Sequence, residues 1–201
     1  MRTPTVALIN SGGANIASLQ IALGRLGADS ELTSDRKAIA AATHVILPGV
    51  GTAANAMERL QKADLVDVIQ SLTKPVLGIC LGMQLLATSS AEDDTTCLAV
   101  VPAEVEILRA QPTLPVPNMG WCRVRTQQAR PLFTGIEDGS YFYFVHSYAV
   151  MDCDHTIATA RHDREFAAVF QYENFCGAQF HPERSAKTGA RFLANFLEMK
   201  A

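Results

Sequence analysis

Val76-Leu77-Gly78-Ile79-Cys80-Leu81-Gly82 is an apolar run that closes on a cysteine held between two glycines. Val76–Ile79 reads as a buried strand, and Leu81 to about Thr88 as a helix. A strand that turns sharply into a helix leaves no room for side chains beside the turn residue, so glycines suit the flanks. This is the nucleophile-elbow pattern with Cys in place of Ser. The turn sets the Cys80 sulfur at a helix N-terminus, where the dipole and free N–H groups favour thiolate. The Leu81 N–H would point at a developing oxyanion. A buried structural cysteine in a Gly-rich turn reads the same way, so the elbow alone leaves both open.

Upstream, strand and helix patterns alternate. Val6-Ala7-Leu8-Ile9 reads as a buried strand, and Asn10-Ser11-Gly12-Gly13 as a turn. Ile16, Leu19, Leu23 and Leu26 then recur at helical spacing, with Gly27 as the cap. His44–Leu47 is another strand, ended by Pro48-Gly49-Val50-Gly51, and a helix is expected from about Ala53 to Gln70. Such repetition implies parallel βαβ units. Downstream the strand-like runs crowd together: Val105–Leu108, Trp121–Arg125, Tyr141–Val145, Thr156–Ala160, Phe166–Gln171 and Phe175–Phe180. Some of these are expected to be antiparallel. Ser185 to Met199 reads as a closing helix, with Ala186, Phe192, Phe196 and Leu197 as core contacts. No repeat or linker divides the chain, and Pro112–Pro117 is too short to separate domains. The expectation is one α/β domain over residues 1–201: a central, mostly parallel sheet flanked by helices, with antiparallel strands in the second half.

Composition narrows the function. The 201 residues are 48% hydrophobic and 18% charged, as in a globular enzyme. A net charge of −3 with 17 Lys and Arg and no basic patch argues against nucleic acid. No apolar run approaches the ~20 residues of a membrane helix, and Met1–Thr5 shows no signal-peptide core. A cytoplasmic location is expected. The five cysteines form no CxxC and are expected as free thiols.

Gln179-Phe180-His181-Pro182-Glu183 is the second chemical signal. A Cys nucleophile needs a base, commonly His. A carboxylate two residues on can hold the imidazole tautomer and stabilise its cation. A surface His with a solvated Glu has the same sequence. Only the fold can bring His181 to Cys80, and a parallel sheet does so if both follow strands at its C-terminal edge. The Pro48–Gly51 loop, third, can present backbone N–H groups as an oxyanion hole or clamp, although most Pro-Gly loops are only turns. Cys153-Asp154-His155 with His162 lacks four-ligand metal spacing. Tyr141–Tyr148 reads as a half-buried strand, and Gly12-Gly13 lacks the full dinucleotide fingerprint.

Together, Leu47–Gly51, Val76–Gln84 and Gln179–Glu183 resemble the class I, or triad, glutamine amidotransferases over essentially the whole chain. Within that class the chain is most similar to the glutaminase subunits of imidazole glycerol phosphate synthase, of histidine biosynthesis. Pro48–Thr52, Asn118-Met119-Gly120-Trp121, Gly135–Gly139, Tyr143–Tyr148 and His181–Ser185 carry this. The resemblance implies Cys80 as nucleophile, His181 as base then acid, and Glu183 as its orienter. It places Gly51, Gln84, Glu92, Ser147 and Tyr148 against glutamine, and Gly49 and Val50 with the Leu81 N–H at the oxyanion. It implies no cofactor or metal, and a synthase (cyclase) partner that takes up the ammonia in a heterodimer. Trp121 and Asn118 are expected at the partner interface, and the Pro48–Gly51 loop is expected to switch between two states under the partner's control. The family usually has His at the position of Asn118 and Asn at that of Cys122, and often Asp or Tyr in the opening turn; these sites are expected near the partner or the glycine-rich loop. The alternatives are the glutaminase of anthranilate, GMP or pyridoxal phosphate synthesis, or a non-catalytic binding subunit on the same fold. Gly120-Trp121 and Tyr143–Tyr148 argue against the first, and the intact Cys80, His181 and Glu183 against the second.

Overall fold

The apolar runs of the first half lie side by side because each is hydrophobic on both faces and must be covered on both. A computed structural model of the chain describes residues 3–12, 16–127, 130–151 and 153–200. Strands β1 (Thr5–Ile9), β2 (Asp29–Thr33), β3 (His44–Gly49) and β4 (Val76–Cys80) are joined by helices α1 (Ile16–Arg25), α2 (Arg36–Ala41), α3 (Ala53–Lys62) and α4 (Val66–Gln70). Helix α5 (Leu81–Leu85) follows β4 directly. The second half supplies β5 (Ser89–Ser90), β6 (Thr95–Thr96), β7 (Glu104–Ile107), β8 (Asn118–Arg123), β9 (Arg125–Thr126), β10 (Tyr141–His146) and β11 (Tyr148–Val150). Then come β12 (Thr156–Arg161), β13 (Glu165–Tyr172), β14 (Phe175–Ala178) and helix α6 (Ala186–Leu197).

The main sheet has eight strands in the order β2-β1-β3-β4-β14-β13-β12-β9. Strands β2, β1, β3, β4 and β14 run parallel, and β13, β12 and β9 continue antiparallel. Alternating residues of one strand enter opposite core layers. Val6 and Leu8 join the layer that holds Leu19, Leu23, Phe192 and Phe196, whereas Ala7 and Ile9 join the layer with Met57, Leu60 and Ile69. Two smaller sheets, β10-β8 and β11-β7-β5-β6, complete the fold.

Several boundaries differ from the sequence reading. The expected helix over Ala53–Gln70 is two helices, because Asp64 adopts φ 51° between them. Asp tolerates that left-handed backbone better than most residues. Leu60, Leu65 and Ile69 are all buried, but the step from Leu60 to Leu65 turns the apolar stripe by about 140° around a helix, which marks the break. Helix α5 stops at Leu85 rather than near Thr88, since Thr88 N–H turns away to donate to Ala103 C=O at 2.9 Å. The strand expected over Trp121–Arg125 begins at Asn118 and breaks at Val124, and Arg125–Thr126 joins the main sheet instead. Strand β14 ends at Ala178, short of Phe180. Ala186 opens α6 but is exposed rather than core; Phe192 and Phe196 are fully buried, and Leu197 packs partly buried against them. Helix α1 does close at Gly27: at φ 79° its N–H donates to Gly24 C=O while Ala28 N–H donates to Leu23 C=O. Gly13 of the expected opening turn lies outside the described residues.

Candidate active site

The site grows from the crest of β4. Cys80 sits at φ 53°, ψ −112°, a conformation that L residues rarely adopt, at the junction of β4 and α5. The surroundings enforce it. A Cβ on Gly78 would lie 2.6 Å from the Gly82 carbonyl oxygen, and one on Gly82 would collide with the Leu47 carbonyl. Only glycine lets β3, β4 and α5 meet this closely, and the turn delivers the sulfur to the sheet's C-terminal edge. Leu81 opens α5, so its N–H is among the donors a helix start leaves without intrahelical partners.

Strand β14 brings in the base. It runs parallel to β4 with Ala178 opposite Ile79, so the residues that follow reach the same edge as Cys80. His181 Nδ1 lies 2.9 Å from Glu183 Oε1, and the two side chains are 9% and 5% exposed. His181 N–H donates to Tyr143 C=O at 2.9 Å, and Ser185 Oγ–H donates to His181 C=O at 2.7 Å. Ser185 Oγ also accepts from Tyr143 N–H at 2.9 Å, tying β10 to the His181 loop. Nε2 of His181 is buried with no hydrogen-bond partner. Burial by itself disfavours the imidazolium, but the Cys80 sulfur and the Glu183 carboxylate outweigh it and hold the His181 pKa up at about 10.

A cleft of ≈ 340 Å³ opens over these groups. Cys80, His181 and Glu183 line it with Val50, Gly51, Leu81, Gln84, Glu92, Ser147 and Tyr148. Gly49 stands just behind, paired with Cys80 across β3 and β4. Glu92 Oε2 accepts from Ala53 N–H at 2.7 Å, at the start of α3. Gln84 donates to Tyr148 C=O at 2.7 Å and to Gln179 Oε1 at 2.9 Å. Cys80 Sγ lies 3.6 Å from Val145 C=O as a thiol donor.

Trp121 and Asn118 part company. Trp121 is 52% exposed, which rules out ordinary core packing, whereas Asn118, expected beside a partner, is 6% exposed and lies 3.0 Å from His146 Nε2 through its amide nitrogen. Cys122 donates to Asn118 Oδ1 at 3.5 Å, so these two departures from the family pattern sit in one part-buried contact.

Val145, His146 and Arg184 also line the cleft, and Ser11 Oγ–H donates to the Pro48 carbonyl at 2.6 Å. The segments containing them are visible in the sequence, but their roles are not, because these depend on partners that only the fold brings to the cleft. Burial pushes the Cys176 thiol up to about 12, the Cys97 thiol up to about 11 and the Cys122 thiol upward. Among the described residues no cluster of three or more His, Cys, Asp or Glu is arranged for a metal, and no helix is long and apolar enough to cross a membrane.

The family model described as Glutamine amidotransferase class-I matches residues 7–199. The chain is 48% identical over 196 residues to the imidazole glycerol phosphate synthase subunit HisH 2 of Legionella pneumophila, covering 98% of both chains. It is 49% identical to the HisH subunit of Xylella fastidiosa, again over 98% of both, and 45% identical to that of Vibrio cholerae over 98% of this chain and all of the other. Among solved structures, a putative GMP synthase subunit from Thermoplasma acidophilum superposes with TM-score 0.76 at 18% identity, covering 98% of this chain and 94% of that one.

Proposed function

Because the chain belongs to the class I glutamine amidotransferases, and within them to the family of HisH subunits of imidazole glycerol phosphate synthase, we propose that it hydrolyses glutamine at Cys80 and passes the ammonia to a synthase (cyclase) partner. The observation that carries this reading is one cleft lined by Cys80, His181 and Glu183, with His181 Nδ1 2.9 Å from Glu183 Oε1. The Cys80 thiolate attacks the glutamine side-chain carbon. The oxyanion that forms is met by the Leu81 N–H and by N–H groups of the Gly49–Gly51 loop. The His181 imidazolium gives its proton to the leaving nitrogen, ammonia departs, and a γ-glutamyl thioester remains. His181, now neutral, takes a proton from water, which attacks the thioester and releases glutamate and the thiolate.

Gln84 supports the substrate reading. Its amide nitrogen is engaged by Tyr148 C=O and Gln179, which leaves its oxygen as the group available to the cleft. Glu92, on the wall toward α3, supplies a carboxylate for an ammonium group.

The outer face of the β8–β10 sheet supports a partner. Register places Met119, Trp121 and Arg123 beside Val145, Tyr143 and Tyr141, and Met119, Trp121 and Tyr141 are 64%, 52% and 48% exposed. Arg184 stacks over the Tyr143 ring at 4.6 Å, joining that face to the His181 loop. Large exposed apolar side chains in one patch are typical of an interface. The carbonyl of Val145, on the same sheet, holds the Cys80 sulfur, so a partner docked there lies one strand from the nucleophile.

The deciding experiment is glutamate release from glutamine by the chain with its synthase partner. Cys80→Ala should abolish it while the complex still works from ammonium salts. Retained glutaminase activity in a clean Cys80→Ala preparation would refute the assignment.

A further inference from the structure

Gln179 is fully buried just beyond the end of β14, beside Cys80. A buried amide has two N–H donors and a carbonyl to satisfy, and its orientation is set by its neighbours. Here one neighbour cannot be turned around. Tyr148 C=O is a backbone acceptor, so the Gln84 atom 2.7 Å from it must be nitrogen. The same Gln84 nitrogen lies 2.9 Å from Gln179, so that Gln179 atom must be oxygen. The remaining Gln179 atom, its nitrogen, then faces the Cys80 sulfur at 3.7 Å as a donor.

The groups around the sulfur differ in what they favour. Val145 C=O, at 3.6 Å, accepts from a thiol and repels a thiolate. His181 favours the thiolate as a cation but gives up that charge during turnover. The Gln179 N–H is a neutral donor that stays in place at every step.

We propose that Gln179 is a positioning residue with two tasks: its N–H stabilises the Cys80 thiolate, and its carbonyl locks the Gln84 amide so that the Gln84 oxygen faces the substrate. This rests on the reading of Cys80 as the nucleophile.

The test uses Gln179→Glu and Gln179→Met in the full chain. Glutamate keeps the acceptor for Gln84 but loses the donor to sulfur; methionine keeps the bulk and loses both. The primary reading is the rate of Cys80 alkylation by iodoacetamide against pH, mapped by mass. Both variants should raise the midpoint, and labelling below it should slow about tenfold for every pH unit the midpoint moves. KM for glutamine, measured with the partner, should rise more in Gln179→Met than in Gln179→Glu. Unchanged midpoints in both folded variants overturn the proposal, and if only Gln179→Met folds, its midpoint alone decides. If iodoacetamide in the unsubstituted chain labels another cysteine ahead of Cys80, the nucleophile reading itself has failed.

Discussion

Acid should weaken this protein through one buried histidine. His146 is 6% exposed, with Nδ1 2.9 Å from Tyr148 C=O and Nε2 3.0 Å from the Asn118 amide nitrogen. Tyr148 C=O can only accept, so Nδ1 carries the proton and Nε2 accepts from Asn118. The rings of Phe166 and Phe144 lie 5.0 and 5.6 Å away and offer no counter-charge. Protonating Nε2 would set two donors face to face in an apolar wall. Burial first, then the positive fields of His162 and His181, outweigh the pull of Tyr148 C=O and push the His146 pKa down to about 4. A folded pKa below the unfolded 6.5 means that the stability present above pH 6.5 is lost progressively as pH falls from 6.5 through the folded value. The linkage gives about 2 kcal/mol lost at about pH 5 and about 3 kcal/mol once the ring is fully charged. Urea unfolding of the native chain and of His146→Gln at about pH 7.5 and pH 5 should show the native chain losing about 2 kcal/mol more than the variant. His181 acts in the opposite sense, because its raised pKa adds stability as pH falls, but it is common to both proteins and drops out of the difference. Equal losses in the two proteins would show that His146 is not held neutral by the fold.

Other outcomes follow from the same geometry. His181→Asn should lower glutaminase turnover about 10²–10⁴-fold or more, and Glu183→Gln by less, since the histidine moves protons and the carboxylate orients it; steady-state kinetics with the partner would reverse the roles if Glu183→Gln were worse. Trp121→Ala should weaken stimulation by the partner more than it lowers thermal stability, because Trp121 is 52% exposed; glutaminase assays across a partner titration, beside calorimetry, decide this. Gly82→Ala should destabilise by about 3 kcal/mol, since the added methyl meets the Leu47 carbonyl of a central strand that cannot shift; a native unfolding midpoint would contradict the elbow packing.

The Gly78–Gly82 pattern by itself declared the strand–turn–helix junction at Cys80, but not its chemistry. A cysteine between glycines after a fully apolar strand can turn into a helix in essentially one way, and steric exclusion is a local property that sequence records. The Val6, His44 and Val76 runs likewise declare buried parallel strands, because both of their faces are apolar. What sequence could not declare is anything that depends on partners far along the chain. Strand β2 hides in Asp29-Ser30-Glu31-Leu32-Thr33, polar because it is an edge, and α3 and α4 read as one run because no Gly or Pro separates them, although the step from Leu60 to Leu65 shifts the apolar stripe by about 140°. Asn118 and Trp121 are three residues apart, yet one faces His146 and the other solvent, since the pleat of β8 and the packing beneath it divide them. Gln179 reads as an ordinary strand-end polar residue until Tyr148, thirty-one positions earlier, fixes Gln84 and through it the amide that faces Cys80. Local sterics and periodicity are written residue by residue, whereas hydrogen-bond direction and burial belong to pairs that only the folded chain brings together.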